Sequence, residues 1–194
     1  MKRVTRKPSK NVKDERELQL EYAIDYGINL KERIILLTGE VNDQMFMQVE
    51  TALSLLEAES RKTITIRLSS AGGTVYDALA IVGRITQSSC NIAIEGYGCV
   101  MSAATLILAC GDVRRISKYS WFMTHEAQYD PGHDKHSNHK ALIIQYEREE
   151  KEWAKHMASF TTKDIEFWHK AGQQVDAYFT AQDLVSMGVA DEVI

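Results

Sequence analysis

Cysteine, proline and long apolar runs are all scarce in this chain of 194 residues. The three cysteines, Cys90, Cys99 and Cys110, sit among apolar neighbours. That usage excludes a disulfide framework and points to reduced, buried thiols in a cytosolic protein. Two prolines and eleven glycines exclude collagen-like and low-complexity chains and leave room for regular elements. The longest uncharged run, Gly96 to Gly111, has 16 residues and is broken by glycines. It is too short for a membrane span. No apolar stretch follows the basic start, so no signal peptide is read there. Gly-x4-Gly-Lys-Ser/Thr does not occur, so any ATPase is a partner rather than part of the chain.

The composition is that of a globular domain, 44% hydrophobic and 26% charged. The length suits one domain with a sizeable core. A net charge of -4 argues against a general nucleic-acid binder. The charge is uneven: Lys2, Arg3, Arg6, Lys7, Lys10 and Lys13 all precede the first acid, Asp14. Residues 1–20 therefore read as a mobile basic arm that meets solvent or a partner, and 21–194 as the folded domain.

Strand and helix patterns then alternate. Arg33–Thr38, Thr63–Leu68 and Asn91–Glu95 read as strands, the second by its β-branched alternation. Asp43 reads as the N-cap of a helix with apolar residues at Met45, Val49, Ala52, Leu53 and Leu56. Val75–Ile85 and Ser102–Cys110 read as helices, the latter buried. Short strands follow at Arg114–Ser117 and Trp121–Thr124, then a polar loop over 126–137. A long charged helix runs from Asn138 to about Ser159, another opens near Thr162, and a short helix at Ala181–Met187 leads to a strand at Val189–Ile194. This order predicts a parallel α/β sheet with right-handed crossovers. The long helix is of the kind that projects and packs on another subunit.

Two glycine turns, Ser70-Ala-Gly-Gly73 and Gly96 to Ser102, fall where strands hand over to helices. Ser102 at a helix start has its oxygen near free backbone N–H groups, which it can cap or which can stabilise an oxyanion. Gly73 lets a backbone amide approach closely. His125 ends a strand, and with Ser102 it forms a candidate nucleophile–base pair. His133, His136 and His139 have helical spacing with Asp134 between, but they read as a solvated loop or a pH-sensitive contact, and no metal is assigned. Trp153, Phe160, Phe167 and Trp168 read as core and subunit contacts, and Cys99 as a packed thiol. No cofactor is expected.

Several motifs in order carry a resemblance. Leu30-Lys-Glu-Arg-Ile-Ile-Leu-Leu-Thr-Gly-Glu-Val41, Ser70-Ala-Gly-Gly73, Gly98-Cys-Val-Met-Ser-Ala-Ala104, Phe122-Met-Thr-His125 and Ala181 through Ile194 together resemble ClpP, the serine peptidase chamber of Clp proteases. The likeness spans about residues 22–194. It implies the ClpP/crotonase-like α/β spiral of parallel strands with a projecting handle helix. It implies Ser102 as nucleophile, His125 as general base, and the N–H groups of Gly73 and Ala103 as the oxyanion hole. The segment after His125 would lie as a strand against substrate and the facing ring. The implied setting is cytoplasmic: a heptameric ring, singly or in stacked pairs, cutting unfolded polypeptides fed by an AAA+ Clp unfoldase.

The chain departs from the family at the third triad member. Aligned without gaps from the closing helix, the family's aspartate falls on Gly172, and with a gap on His169. The nearest acid, Asp176, is the candidate third member. Lys170-Ala171 stands where the family has an acid–Arg pair that joins rings, and the loop from Glu126 to Ser137 lacks the family's glycine-rich run. Ser-Ala-Ala at 102–104 replaces Ser-Met-Gly beside the specificity pocket. These departures keep a structural ring subunit, acting with an active paralogue, in contention. A hydratase or isomerase of the same fold is opposed by the Ser–His pair, and a phage-type maturation protease is a closer variant.

Overall fold

The computed structural model describes residues 15–128, 132–173 and 175–194. Helix α1 spans Glu15–Asp25, so residues 15–20, read as part of the arm, are helical. The rest of the basic segment lies outside the described residues. Among the described residues, eight strands form one sheet: β1 (Ile28–Asn29), β2 (Ile34–Val41), β3 (Ile64–Gly73), β4 (Ile92–Met101), β5 (Val113–Ile116), β6 (Trp121–Thr124), β7 (Ala177–Thr180) and β8 (Glu192–Val193). Along it the order is β1-β2-β3-β4-β5-β8, with β6 on β4 and β7 on β6. Pairing is parallel except at β1–β2 and β6–β7. The expected mixed α/β architecture with a mostly parallel sheet is met.

The central strands are buried by their side-chain alternation. Ile64, Ile66 and Leu68 of β3 are fully buried, as are Ile35 and Leu37 of β2 and Ile92 and Ile94 of β4. Helix α2 (Asp43–Glu59) covers them with the five apolar residues expected from its period. Its N-cap is Asn42, not Asp43, because the Asn42 side chain accepts from Met45 N at 3.0 Å. Asp43 instead occupies the first turn, where a carboxylate complements the helix dipole. Helix α3 (Val75–Thr86) adds Ala78, Ile81, Val82 and Ile85, and α4 (Ala104–Ala109) is buried on all sides.

Neither glycine segment is a simple turn. Ser70 to Gly73 continues β3, hydrogen-bonded to β2 as far as Val41↔Gly73. Gly96 to Met101 continues β4, with a register shift in which Leu68–Ser70 of β3 spans Gly96–Val100. Gly98 takes φ 63° within that bulge. Two extra residues bend β4, so its first half pairs with β5 and its second half with β6.

Helix α5 (His136–Phe160) has 25 residues and begins two residues before the expected start. Only Ala154 and Met157 of it are buried, which matches the projecting handle. Helix α6 (Ile165–Ala171) packs beneath it through Trp168, whose ring meets Trp153 and Phe167 edge-on. Among the described residues, 125–128 and 132–135 form no strand, contrary to the expectation for the segment after His125. Strand β7 was not anticipated. It leads into α7 (Ala181–Ser186), and the terminal strand shrinks to two residues in β8.

Candidate active site

Ser102 and His125 lie at the same end of two paired strands. The parallel ladder β4–β6 matches Cys99↔Trp121, Val100↔Phe122 and Met101↔Met123. Ser102 N then donates to Met123 O at 2.8 Å, so the two strands exit together at their carboxyl ends. Open α/β sheets form clefts at that edge. His125 Nε2 stands 2.7 Å from Ser102 Oγ, within reach for proton transfer.

The serine is held in an unusual backbone conformation, φ 52°. Non-glycine residues rarely occupy this region, and such strain concentrates at functional sites. Ser102 is therefore not an ordinary helix cap. Helix α4 starts two residues later, Ala103 is its N-cap, and no side chain caps it. The strained turn is tied down from below: Thr105 N and Thr105 Oγ1 both donate to Ser102 O, at 3.0 and 2.6 Å.

The two glycines of β3 are needed for this packing. A Cβ on Gly72 would lie 2.5 Å from Ser102 Cβ and 3.1 Å from Ala103 N. A Cβ on Gly73 would lie 2.2 Å from Val41 O. Only bare backbone fits between β2 and the serine turn. Ser70, almost fully buried, secures the approach by donating to Gly39 O and accepting from Gly72 N. Sequence reasoning singled out Gly73 and passed over Gly72, although the doubled glycine was the available signal.

Ser102, His125, Gly73 and Ala103 line one cleft of about 560 Å³, together with His169 and Gly172 from the region of α6. Thr124 Oγ1 donates to Ala171 O at 2.9 Å, which brings the end of α6 beside His125. Gly172 has φ -85° and ψ -10°, where any L-residue fits. Asp176 is exposed and does not line the cleft. Its neighbour Ala177 pairs with Thr124, the residue before His125, and the β6–β7 ladder ends there. Among the described residues, no carboxylate is hydrogen-bonded to His125.

The opposite wall of the cleft comes from α5 and was not singled out from sequence as a site. Tyr146, Glu149, Glu150 and Trp153 all line it. Burial, reinforced by the nearby Glu126, holds the Glu150 carboxyl above its usual value, against the backbone N–H of Ala127 and the opposing pull of His169. Tyr76 of α3 donates to Glu149, and this bond raises the phenol above its ordinary value.

The cysteines bear out burial for two of three. Cys90 and Cys110 are buried, while Cys99 is partly exposed. Burial pushes the Cys110 thiol up to about 12, so it is inert as a nucleophile. Among the described residues, no helix is long and apolar enough to cross a membrane.

The family model described as Clp protease matches residues 17–194. The chain is 29% identical over 171 residues to "ATP-dependent Clp protease proteolytic subunit 1" of Corynebacterium jeikeium, covering 85% of this chain and 88% of that relative. It is 30% identical to "ATP-dependent Clp protease proteolytic subunit 2" of Mycolicibacterium paratuberculosis, covering 85% and 83%. It is 27% identical to "ATP-dependent Clp protease proteolytic subunit" of Streptococcus sanguinis, covering 87% and 88%.

Proposed function

This chain belongs to the Clp protease family, and on that premise we propose that it is a serine endopeptidase subunit that cuts unfolded polypeptides inside a ring-shaped chamber. The observation that carries this reading is the 2.7 Å contact between Ser102 Oγ and His125 Nε2 beside two glycines that admit no side chain. His125 takes the Ser102 proton as the oxygen attacks the substrate carbonyl. The developing oxyanion is met by the N–H groups of Gly73 and Ala103. His125 returns the proton to the leaving amine, and water then hydrolyses the acyl-enzyme by the reverse assignment of roles.

The third group sets the rate. Its task is to hold the imidazole tautomer and to stabilise the imidazolium. Asp176 is the proposed occupant, because it adjoins Ala177, which the β6–β7 ladder pairs with Thr124 beside His125. Exposure limits what it contributes, so turnover is slow or conditional on assembly. The proposed assembly is a cytoplasmic heptameric ring, singly or stacked in pairs. Helix α5 is its handle, and an AAA+ Clp unfoldase contacts the basic segment before α1.

Reaction with a fluorophosphonate probe, read by intact mass against Ser102→Ala, tests the proposal. Stoichiometric labelling that the variant loses is expected. Absence of labelling in the assembled protein would overturn the peptidase reading. It would leave the rival that Gly172 at the family's acid position favours, a structural ring subunit working with an active ClpP paralogue.

A further inference from the structure

The helix wall facing the nucleophile has a pattern that the catalytic reading does not use. Tyr146, Glu149, Glu150 and Trp153 stand at i, i+3, i+4 and i+7 on α5, a single helix face. All four line the cleft that holds Ser102. Two carboxylates are thus set between two aromatic rings, with Tyr76 reaching across from α3 to Glu149. Among the described residues, the cleft lining contains His125 and His169 but neither lysine nor arginine. The wall is therefore short of cations. Glu149 is already engaged by Tyr76 and by Gln145 Nε2 at 2.8 Å. Burial, Glu126 and Glu147 disfavour the charge on Glu150, while His169 favours it.

Resting on the peptidase reading of this cleft, we propose that Glu150, assisted by Glu149, selects substrates with lysine or arginine at the residue whose carbonyl Ser102 attacks. An ammonium or guanidinium entering between Tyr146 and Trp153 meets aromatic faces along its stem and a carboxylate at its head. Aromatic faces attract cations, and carboxylates half-withdrawn from water do so more strongly than exposed ones. A substrate cation also relieves the crowding of Glu150 by Glu126. An apolar side chain of equal length would cover the two carboxylates without pairing them, which costs free energy. A substrate glutamate would add a further like charge.

Binding to the Ser102→Ala protein tests selectivity without requiring turnover. Three capped peptides, identical except for lysine, norleucine or glutamate at their last residue, are titrated calorimetrically at neutral pH. The lysine peptide is expected to bind roughly tenfold more tightly than the norleucine peptide, an ion pair and a cation–π contact together. Adding Glu150→Gln should remove most of that advantage, and Glu150→Lys should move the preference to glutamate. Thermal melting of each variant shows that it is folded. Norleucine binding as tightly as lysine, a lysine preference that survives Glu150→Gln and Glu149→Gln together, or no binding by any peptide would overturn the proposal. Fluorophosphonate labelling of the unsubstituted serine separately decides the peptidase reading. A labelled serine with no charge preference sinks only the selectivity, and a preference without labelling sinks only the catalysis.

Discussion

At the scale of single residues, small changes around Ser102 should have large effects. Gly72→Ala places a methyl 2.5 Å from Ser102 Cβ and 2.8 Å from Met101 O, in a backbone conformation of φ 104°. The serine turn must move, and the oxyanion donors move with it. Fluorophosphonate labelling is expected to slow by roughly a hundredfold, the scale of a lost oxyanion contact. Gly172→Asp should act in the opposite direction. A Cβ there meets Trp153 Cζ3 at 3.4 Å, an ordinary contact, in a right-handed helical conformation. If a missing acid limits the rate, peptide hydrolysis should rise by roughly a hundredfold or more. No change would show that another group already orients His125.

Arg33 is a structural counterpart. It is buried, takes φ 55°, and donates to the carbonyls of Leu56, Ser60, Lys62 and Thr63. It ties the end of α2 to the start of β3. Arg33→Met should leave those carbonyls without a donor and destabilise the fold by about 3 kcal/mol, read from urea unfolding. Sequence pattern placed Arg33 at the head of a strand. Its role was not legible, because all four acceptors are 23 or more residues away.

Between elements, Arg84 of α3 holds Glu50 and Glu57 of α2 at 2.7 and 2.8 Å. The hydrogen bond from Arg84 keeps the Glu57 carboxyl below its usual value against the cost of burial, with Ser88 assisting. A carboxyl lowered in the folded state contributes stability that is present above its unfolded value and lost as pH falls through its folded value. Glu57→Gln should therefore cost more at pH 7 than at pH 3, measured as the shift in urea midpoint. Helix α7 offers a cleaner local test. Thr180 accepts from Asp183 N at 3.3 Å while Thr180 N donates to Asp183 Oδ2 at 2.8 Å, a reciprocal cap. Thr180→Ala should cost about 1 kcal/mol. It should also loosen β7, which Thr180 ends, and with it the Thr124–Ala177 pairing next to His125 and Asp176.

For the whole molecule, the 25-residue handle is the element least explained by its own fold. Ile143 and Ile144 are exposed on it, and only two of its residues are buried. A helix this long with so little of its apolar surface covered is expected to pack on another subunit. Ile143→Glu with Ile144→Glu should lower the sedimentation coefficient to that of a smaller species, while far-ultraviolet circular dichroism stays unchanged. Retained assembly would remove α5 from the interface.

The sequence by itself determined the order of most elements, because hydrophobic period and β-branched runs are local, and its short motifs made Ser102 and His125 candidates. Helix α2's apolar face and the alternation of β3 appeared where they were expected for that reason. Strand β7 escaped because four residues of Ala-Tyr-Phe-Thr carry too little alternation to be told from a loop. Whether the glycine segments were turns or strands was decided only by tertiary structure, since β2 and β4 supply the hydrogen bonds that keep them extended. The same holds for the candidate pair itself. Residues 23 positions apart meet because the β4 bulge swings the end of that strand onto β6, and the parallel register then sets serine beside histidine. The left-handed backbone at Ser102 and the charged wall of α5 arise in the same way. Each depends on which element lies opposite, and that is a property of packing rather than of any stretch of chain.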